Sequence, residues 1–209
     1  MRSTGYVLPQ LTKNCFISYK HPPAVRNDGG KHIYLEFVQA LEGKLAHYLR
    51  TVRPYRDTTL RQIPGAPYPS ELSRALCHSV CMIGVLVPEY SESNWCVAEW
   101  QAMEKLERIR LGNGRKGLII PVLFRGEIGR FQALVGDRQP LDMSTILKPK
   151  TQLDNVSYRQ KVESLCERIE ALAKGSNPSK VDCDTFKIDE GPEFHTPDSR
   201  ADPNPVAGT

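Results

Sequence analysis

Apolar residues in this chain fall into two alternating patterns, short continuous runs and longer stretches at helical spacing. Cys15-Phe16-Ile17-Ser18-Tyr19 is a short run with aromatic and β-branched residues, and it predicts a buried strand. A polar, Gly-containing loop is expected from His21 to Lys31. Leu35, Val38, Leu41, Leu45 and Leu49 then recur at the interval of a helix face. Val52 to Tyr55 reads as a short second strand, with Pro54 placing it near an edge or an end. Arg56 to Pro69 holds four residues that break regular structure (Pro64, Gly65, Pro67, Pro69) and predicts a loop. Ser70 to Cys77 predicts a short helix.

Cys81 to Val87 is the most apolar run, and Pro88 ends it; it predicts a central strand buried on both faces. Ser93 or Asn94 can cap the next helix, which carries Trp95, Cys96, Glu99, Met103 and Leu106. Leu118 to Phe124 predicts another buried strand, Gln139 to Met143 a last short one, and Tyr158 to Ala173 a closing helix. Strands alternating with helices imply parallel pairing. The expected fold is an α/β, doubly wound, five-stranded parallel sheet with helices on both faces. Residues 1–10 read as an N-terminal extension and 11–174 as one domain. Residues 175–209, rich in Pro, Asp, Ser, Gly and Asn, read as a disordered or loosely attached tail.

Composition changes this picture little. With 209 residues the chain can bury a core without a metal or disulfide staple. A net charge of +4, evenly spread, gives no footprint for nucleic acid or an acidic membrane surface. Met1 to Asn14 lacks the apolar stretch of a signal peptide, and no run approaches the ~20 apolar residues of a membrane span. The expected location is cytoplasmic, with Cys15, Cys77, Cys81, Cys96, Cys166 and Cys183 all thiols and mostly in the core.

Several motif matches lead nowhere. Gly112-Asn-Gly114-Arg-Lys-Gly117 fits G-x-G-x-x-G, but it follows a helix and precedes a strand, the reverse of a dinucleotide fingerprint. Cys77, His78 and Cys81 lack a second ligand pair at zinc spacing, so no metal is expected. The sequence holds no G-x-S-x-G elbow, Walker loop or H-E-x-x-H. A phosphoryl-receiver role needs acidic residues after the first strand, where Ser18-Tyr19-Lys20 stands.

In an open α/β sheet, ligands bind beyond the carboxyl ends of the strands where strand order reverses. Three segments leave such ends: Tyr19-Lys20-His21, the Arg56-Asp57 loop with Arg61, and Tyr90 with Trp95 and Glu99. Trp95 and Glu99, four apart on a helix, share a face. By spacing alone, Glu99 is better read as a solvated helix carboxylate, Trp95 as core, and Arg56 and Arg61 as equally suited to surface ion pairs.

A family resemblance alters that balance. Phe16-Ile17-Ser18-Tyr19 resembles the first conserved box of TIR domains. Tyr55-Arg56-Asp57-Thr58-Thr59-Leu60, a Gly/Pro loop, and Glu71-Leu72-Ser73-Arg74-Ala75-Leu76 are similar to the second box and its BB loop. Pro88 to Trp100, containing Tyr90 and Trp95-Cys96-Val97-Ala98-Glu99, resembles the plant and bacterial form of the segment entering the third helix. Ile120-Pro121-Val122 is similar to the fourth strand, and the match runs from about Lys13 to Ala173.

The resemblance implies a flavodoxin-like domain in which Glu99 is the carboxylate essential for cleaving NAD. Around it, the three strand-end segments supply Tyr19, Lys20, His21, Arg56, Arg61, Tyr90 and Trp95 as candidate substrate contacts, and of these Lys20 and His21 stand where the family often has arginine or another polar residue contacting the dinucleotide. No cofactor is implied, because NAD is the substrate. The implied product is ADP-ribose or a cyclic or derived form, and the implied partners are other TIR subunits in a homo-oligomer formed on activation. The layout resembles the stand-alone TIR component of Thoeris-type antiphage defence, whose product a separate effector senses. The alternative is a non-enzymatic TIR adaptor that works by TIR–TIR assembly.

Overall fold

A computed structural model of the chain describes residues 13–21, 29–50, 52–56, 68–112, 114–145, 156–175 and 181–189. In order, the elements are β1 (Lys13–Tyr19), α1 (Gly29–Tyr48), β2 (Val52–Arg56), α2 (Tyr68–His78), β3 (Ser79–Leu86), α3 (Asn94–Leu111), β4 (Ile119–Leu123), α4 (Gln132–Val135), β5 (Leu141–Asp142) and α5 (Val156–Gly175). The five strands form one sheet in the order β2-β1-β3-β4-β5, and every pairing is parallel. Helices α1 and α5 pack together on one face and α2 and α3 on the other. This is the doubly wound α/β arrangement that the alternating pattern predicts, in the flavodoxin-like strand order that the resemblance implies.

Local chemistry explains the placements. All eight residues of β3 are buried, as a strand flanked on both edges and covered on both faces requires. β2 is an edge strand and so tolerates Pro54. Pro121 lies inside β4. Leu118 O and Phe124 N bond toward β3, so alternation turns the missing N–H of Pro121 toward β5, where pairing spans only Leu141 and Asp142. Of the two candidate caps for α3, Ser93 is the one used: its Oγ accepts from Cys96 N at 3.5 Å. α1 begins at Gly29, earlier than the expected loop end at Lys31. The four-residue α4 went unpredicted, since four residues cannot display a helical period.

Buried ions fix the C-terminal half of α3. Glu107 accepts from Gly117 N at 2.5 Å and Leu118 N at 2.8 Å, and pairs with Arg138 at 2.6 Å. Arg138 also pairs with Glu104 at 3.0 Å, and its guanidinium lies over the Trp100 ring. Arg110 donates to Ser79 O at 2.6 Å and to Cys77 O, so α3 also holds the α2–β3 junction. Trp100 itself sits against Gly84 of β3. A Cβ there would come within 2.7 Å of the indole and 3.5 Å of the Tyr90 hydroxyl.

The expectation of six thiols is corrected. Cys77 and Cys183, 106 residues apart, form a disulfide with their Cα atoms 5.5 Å apart; Cys15, Cys81, Cys96 and Cys166 are free and buried. The expectation rested on the redox compartment, and spacing carries no trace of a pairing that requires the chain to return past α5 to α2. That return also qualifies the loosely attached tail. Within it, 181–189 lies against α2 and α3, with Ile188 buried and its N–H donating to Ser73 Oγ at 3.0 Å. Lys105 of α3 pairs with Asp189 at 3.5 Å and lies over the Phe186 ring. Among the described residues, no helix is long and apolar enough to cross a membrane.

Two measurements check this packing. Alkylation of the denatured, unreduced protein followed by mass spectrometry should label four cysteines and spare Cys77 and Cys183; six labelled cysteines would contradict the disulfide. Gly84→Ala should overpack the sheet beneath Trp100 and cost about 1–3 kcal/mol. Its melting temperature should fall by several degrees, at about 2–4 °C per kcal/mol for a chain of this size. An unchanged melting temperature would show that the contact is not tight.

Candidate functional site

Strand order reverses between β1 and β3, so the crevice where such sheets bind ligands opens at the carboxyl ends of these two strands. Side chains alternate along β1. Ile17 and Tyr19 face α1, where the Tyr19 ring lies tilted beside that of Tyr34, and Phe16 and Ser18 face α2 and α3. After β3, the turn Pro88–Tyr90 leads to the Ser93 cap, and α3 brings Glu99 back over the end of β1.

Glu99 is 4% exposed and Ser18 and Tyr90 are fully buried, and the three are joined by hydrogen bonds. Ser18 Oγ donates to Glu99 Oε2 at 2.5 Å, and Ser18 Oγ and Tyr90 Oη are 2.6 Å apart. A serine hydroxyl has one proton, and Ser18 gives it to Glu99, so the Tyr90 hydroxyl must donate to Ser18. Burial above all, with Cys96 and Glu99 nearby, pushes the Tyr90 hydroxyl well above its ordinary range, which keeps it a donor. The Tyr90 ring meets Trp100 edge-on, with centroids 6.2 Å apart.

The other expected site residues divide. Trp95, one turn before Glu99 on α3, is half-buried against the core. Lys20 and His21 are partly exposed at the end of β1; the His21 ring lies 4.5 Å from Tyr19, and Lys20 N donates to Tyr34 Oη at 3.1 Å. Tyr19 is 4% exposed, in contact with His21 and Tyr34. Tyr90, expected to touch ligand, has no exposed surface and lies beneath Ser18. Arg56 stands in register with Ile17, on the α1 face, and pairs with Glu42 of α1 at 2.5 Å. The sheet therefore separates Arg56 from Glu99. Arg61 and Asp57 lie outside the described residues.

Two participants were missed. Ser18 is a fully buried hydroxyl in the apolar run Cys15 to Tyr19, and the signal for it was there, since a polar residue so placed needs a partner. Gly84 provides the room that Trp100 and Tyr90 occupy, and a glycine inside an apolar strand marks such a close approach. Among the described residues, no group of three or more His, Cys, Asp or Glu is disposed to hold a metal.

Comparison with known proteins bears on the family. No curated protein matches the chain. Among solved structures, it is similar to the TIR domains of the activated Roq1 resistosome directly recognizing the pathogen effector XopQ, at 14% identity and a TM-score of 0.36. That likeness covers 78% of this chain and 98% of the other. The family model described as TIR domain matches residues 16–157, well over half of the sequence. The chain belongs to the TIR domain family.

Proposed function

We propose that the protein cleaves NAD at the bond between ribose and nicotinamide, with Glu99 as the catalytic carboxylate. The observation that carries the reading is a buried carboxylate held by a hydroxyl donor at the strand-order switch, with Trp95 one turn earlier on the same helix. One carboxylate suits this reaction. Glycosidases use a second as an acid because the departing alkoxide must be protonated. The nicotinamide of NAD is cationic and departs neutral, taking the electrons of the C1′–N bond. The ribose is left oxocarbenium-like, and Glu99 in its low-dielectric setting stabilises that charge. Water attacking C1′ and releasing a proton gives ADP-ribose, and an atom of the adenine as nucleophile gives a cyclic product.

Trp95 would shield the reacting centre from water, and Lys20 and His21 would meet the pyrophosphate, with Tyr19 supporting His21. Arg56, tied to Glu42 on the opposite face of the sheet from Glu99, is left out of this set. In the single chain Glu99 keeps only 4% of its surface exposed. Self-association with other TIR subunits is the proposed event that opens the site. A diffusible product sensed by a separate effector, as in immune signalling, would then be the output.

Purified protein incubated with NAD should release nicotinamide together with ADP-ribose or a cyclic form, read by mass spectrometry. Glu99→Ala should abolish release while its melting temperature stays near that of the wild type. Cleavage retained in the variant would sink the assignment. Light scattering with and without an NAD analogue should detect assembly, and a strictly monomeric yet fully active protein would refute opening by self-association.

A further inference from the structure

We propose that Tyr90 and Ser18 form a two-hydroxyl relay that fixes the orientation and ionisation of Glu99, so that Tyr90 is a positioning residue acting through Ser18 without touching substrate. The inference rests on the reading of Glu99 as the NAD-cleaving carboxylate and says how that group is kept fit for its task. A carboxylate with 4% exposure has lost most of its water, which favours its neutral form unless donors replace that water. Ser18 supplies such a donor at 2.5 Å, and Tyr90 at 2.6 Å satisfies Ser18 in turn.

The direction is fixed. Ser18 can donate to Glu99 and accept from Tyr90 at once, and a Tyr90 hydroxyl kept protonated has one proton to give. Donors arranged in series polarise one another, so removing the far one weakens the near one. The fold supports this order: Gly84 leaves space for the Tyr90 hydroxyl and Trp100 holds the ring edge-on, so Tyr90→Phe can keep the ring packing and lose only the hydroxyl.

The test is a double-mutant cycle on NAD cleavage. Ser18→Ala should lower kcat about 10- to 100-fold with KM near the wild-type value, as expected for loss of a hydrogen bond to a charged group. Ser18→Thr, which keeps the hydroxyl, should recover most of that loss. Tyr90→Phe should lower kcat about 3- to 10-fold. The double variant Ser18→Ala/Tyr90→Phe should be no slower than Ser18→Ala alone, because Tyr90 acts only through Ser18. In both single variants the acid limb of the kcat/KM profile should move to higher pH, since removing donors disfavours the charged carboxylate. Multiplying effects in the double variant, a Tyr90→Phe effect confined to KM, or an unmoved acid limb would overturn the relay. If the wild type does not cleave NAD, the hydrolase reading fails, and ¹³C titration of the Glu99 carboxyl then decides the relay. A higher midpoint in both single variants would support it, and equal midpoints would overturn it.

Discussion

A carboxylate buried at the junction of β1 and α3 is the constraint from which the rest of the site follows. Glu99 has almost no contact with solvent, and a charge so placed is tolerated only where donors stand in for water. Ser18 supplies one such donor from the sheet, and Tyr90 backs Ser18 from the turn after β3. Each donor reaches its place only because something else gives way or holds firm. Gly84 leaves the volume, Trp100 walls it, and Ser93 starts α3 at the register that aims Glu99 inward.

The far half of α3 explains why this register persists. Glu107, Arg138 and Arg110 are all nearly buried, and they tie the helix to the start of β4, to the segment after α4 and to the α2–β3 junction. Removing one partner of such a buried pair is far more damaging than the pair is stabilising, because the other charge is left without compensation. Position along the helix thus divides its work: the N-terminal half carries Glu99, and the C-terminal half clamps the helix to the frame. The segment 181–189, bonded through Cys183 to Cys77 and lying against α2 and α3, adds a second fastening on the same face.

Much of this was legible in the sequence, for physical reasons that can be named. Continuous apolar runs marked β1, β3 and β4, since strands covered on both faces admit few polar groups. Helical spacing marked α1, α3 and α5. Glu99 was singled out by family motif and by its turn relation to Trp95. What escaped depended on partners distant in sequence. Arg56 looked like a ligand contact because it ends a strand, yet register with Ile17 sends it to the other face and into a pair with Glu42. Tyr90 lies in the right loop, but its direction is decided by Gly84 and Trp100. Cys77 and Cys183 carry no spacing signal at all, and the docking of 181–189 rests on Ile188 and Phe186, too few apolar residues to stand out in a polar stretch.

The central claim is that the negative charge of Glu99, and not merely its shape, is what the buried donors maintain and the chemistry uses. Glu99→Gln keeps the size of the side chain and one oxygen acceptor for Ser18 while removing the charge. Nicotinamide release from NAD, followed by proton NMR under conditions where the wild type turns over, tests the claim directly. The variant should be as inactive as one lacking the side chain altogether; release at a rate close to wild type would contradict the account.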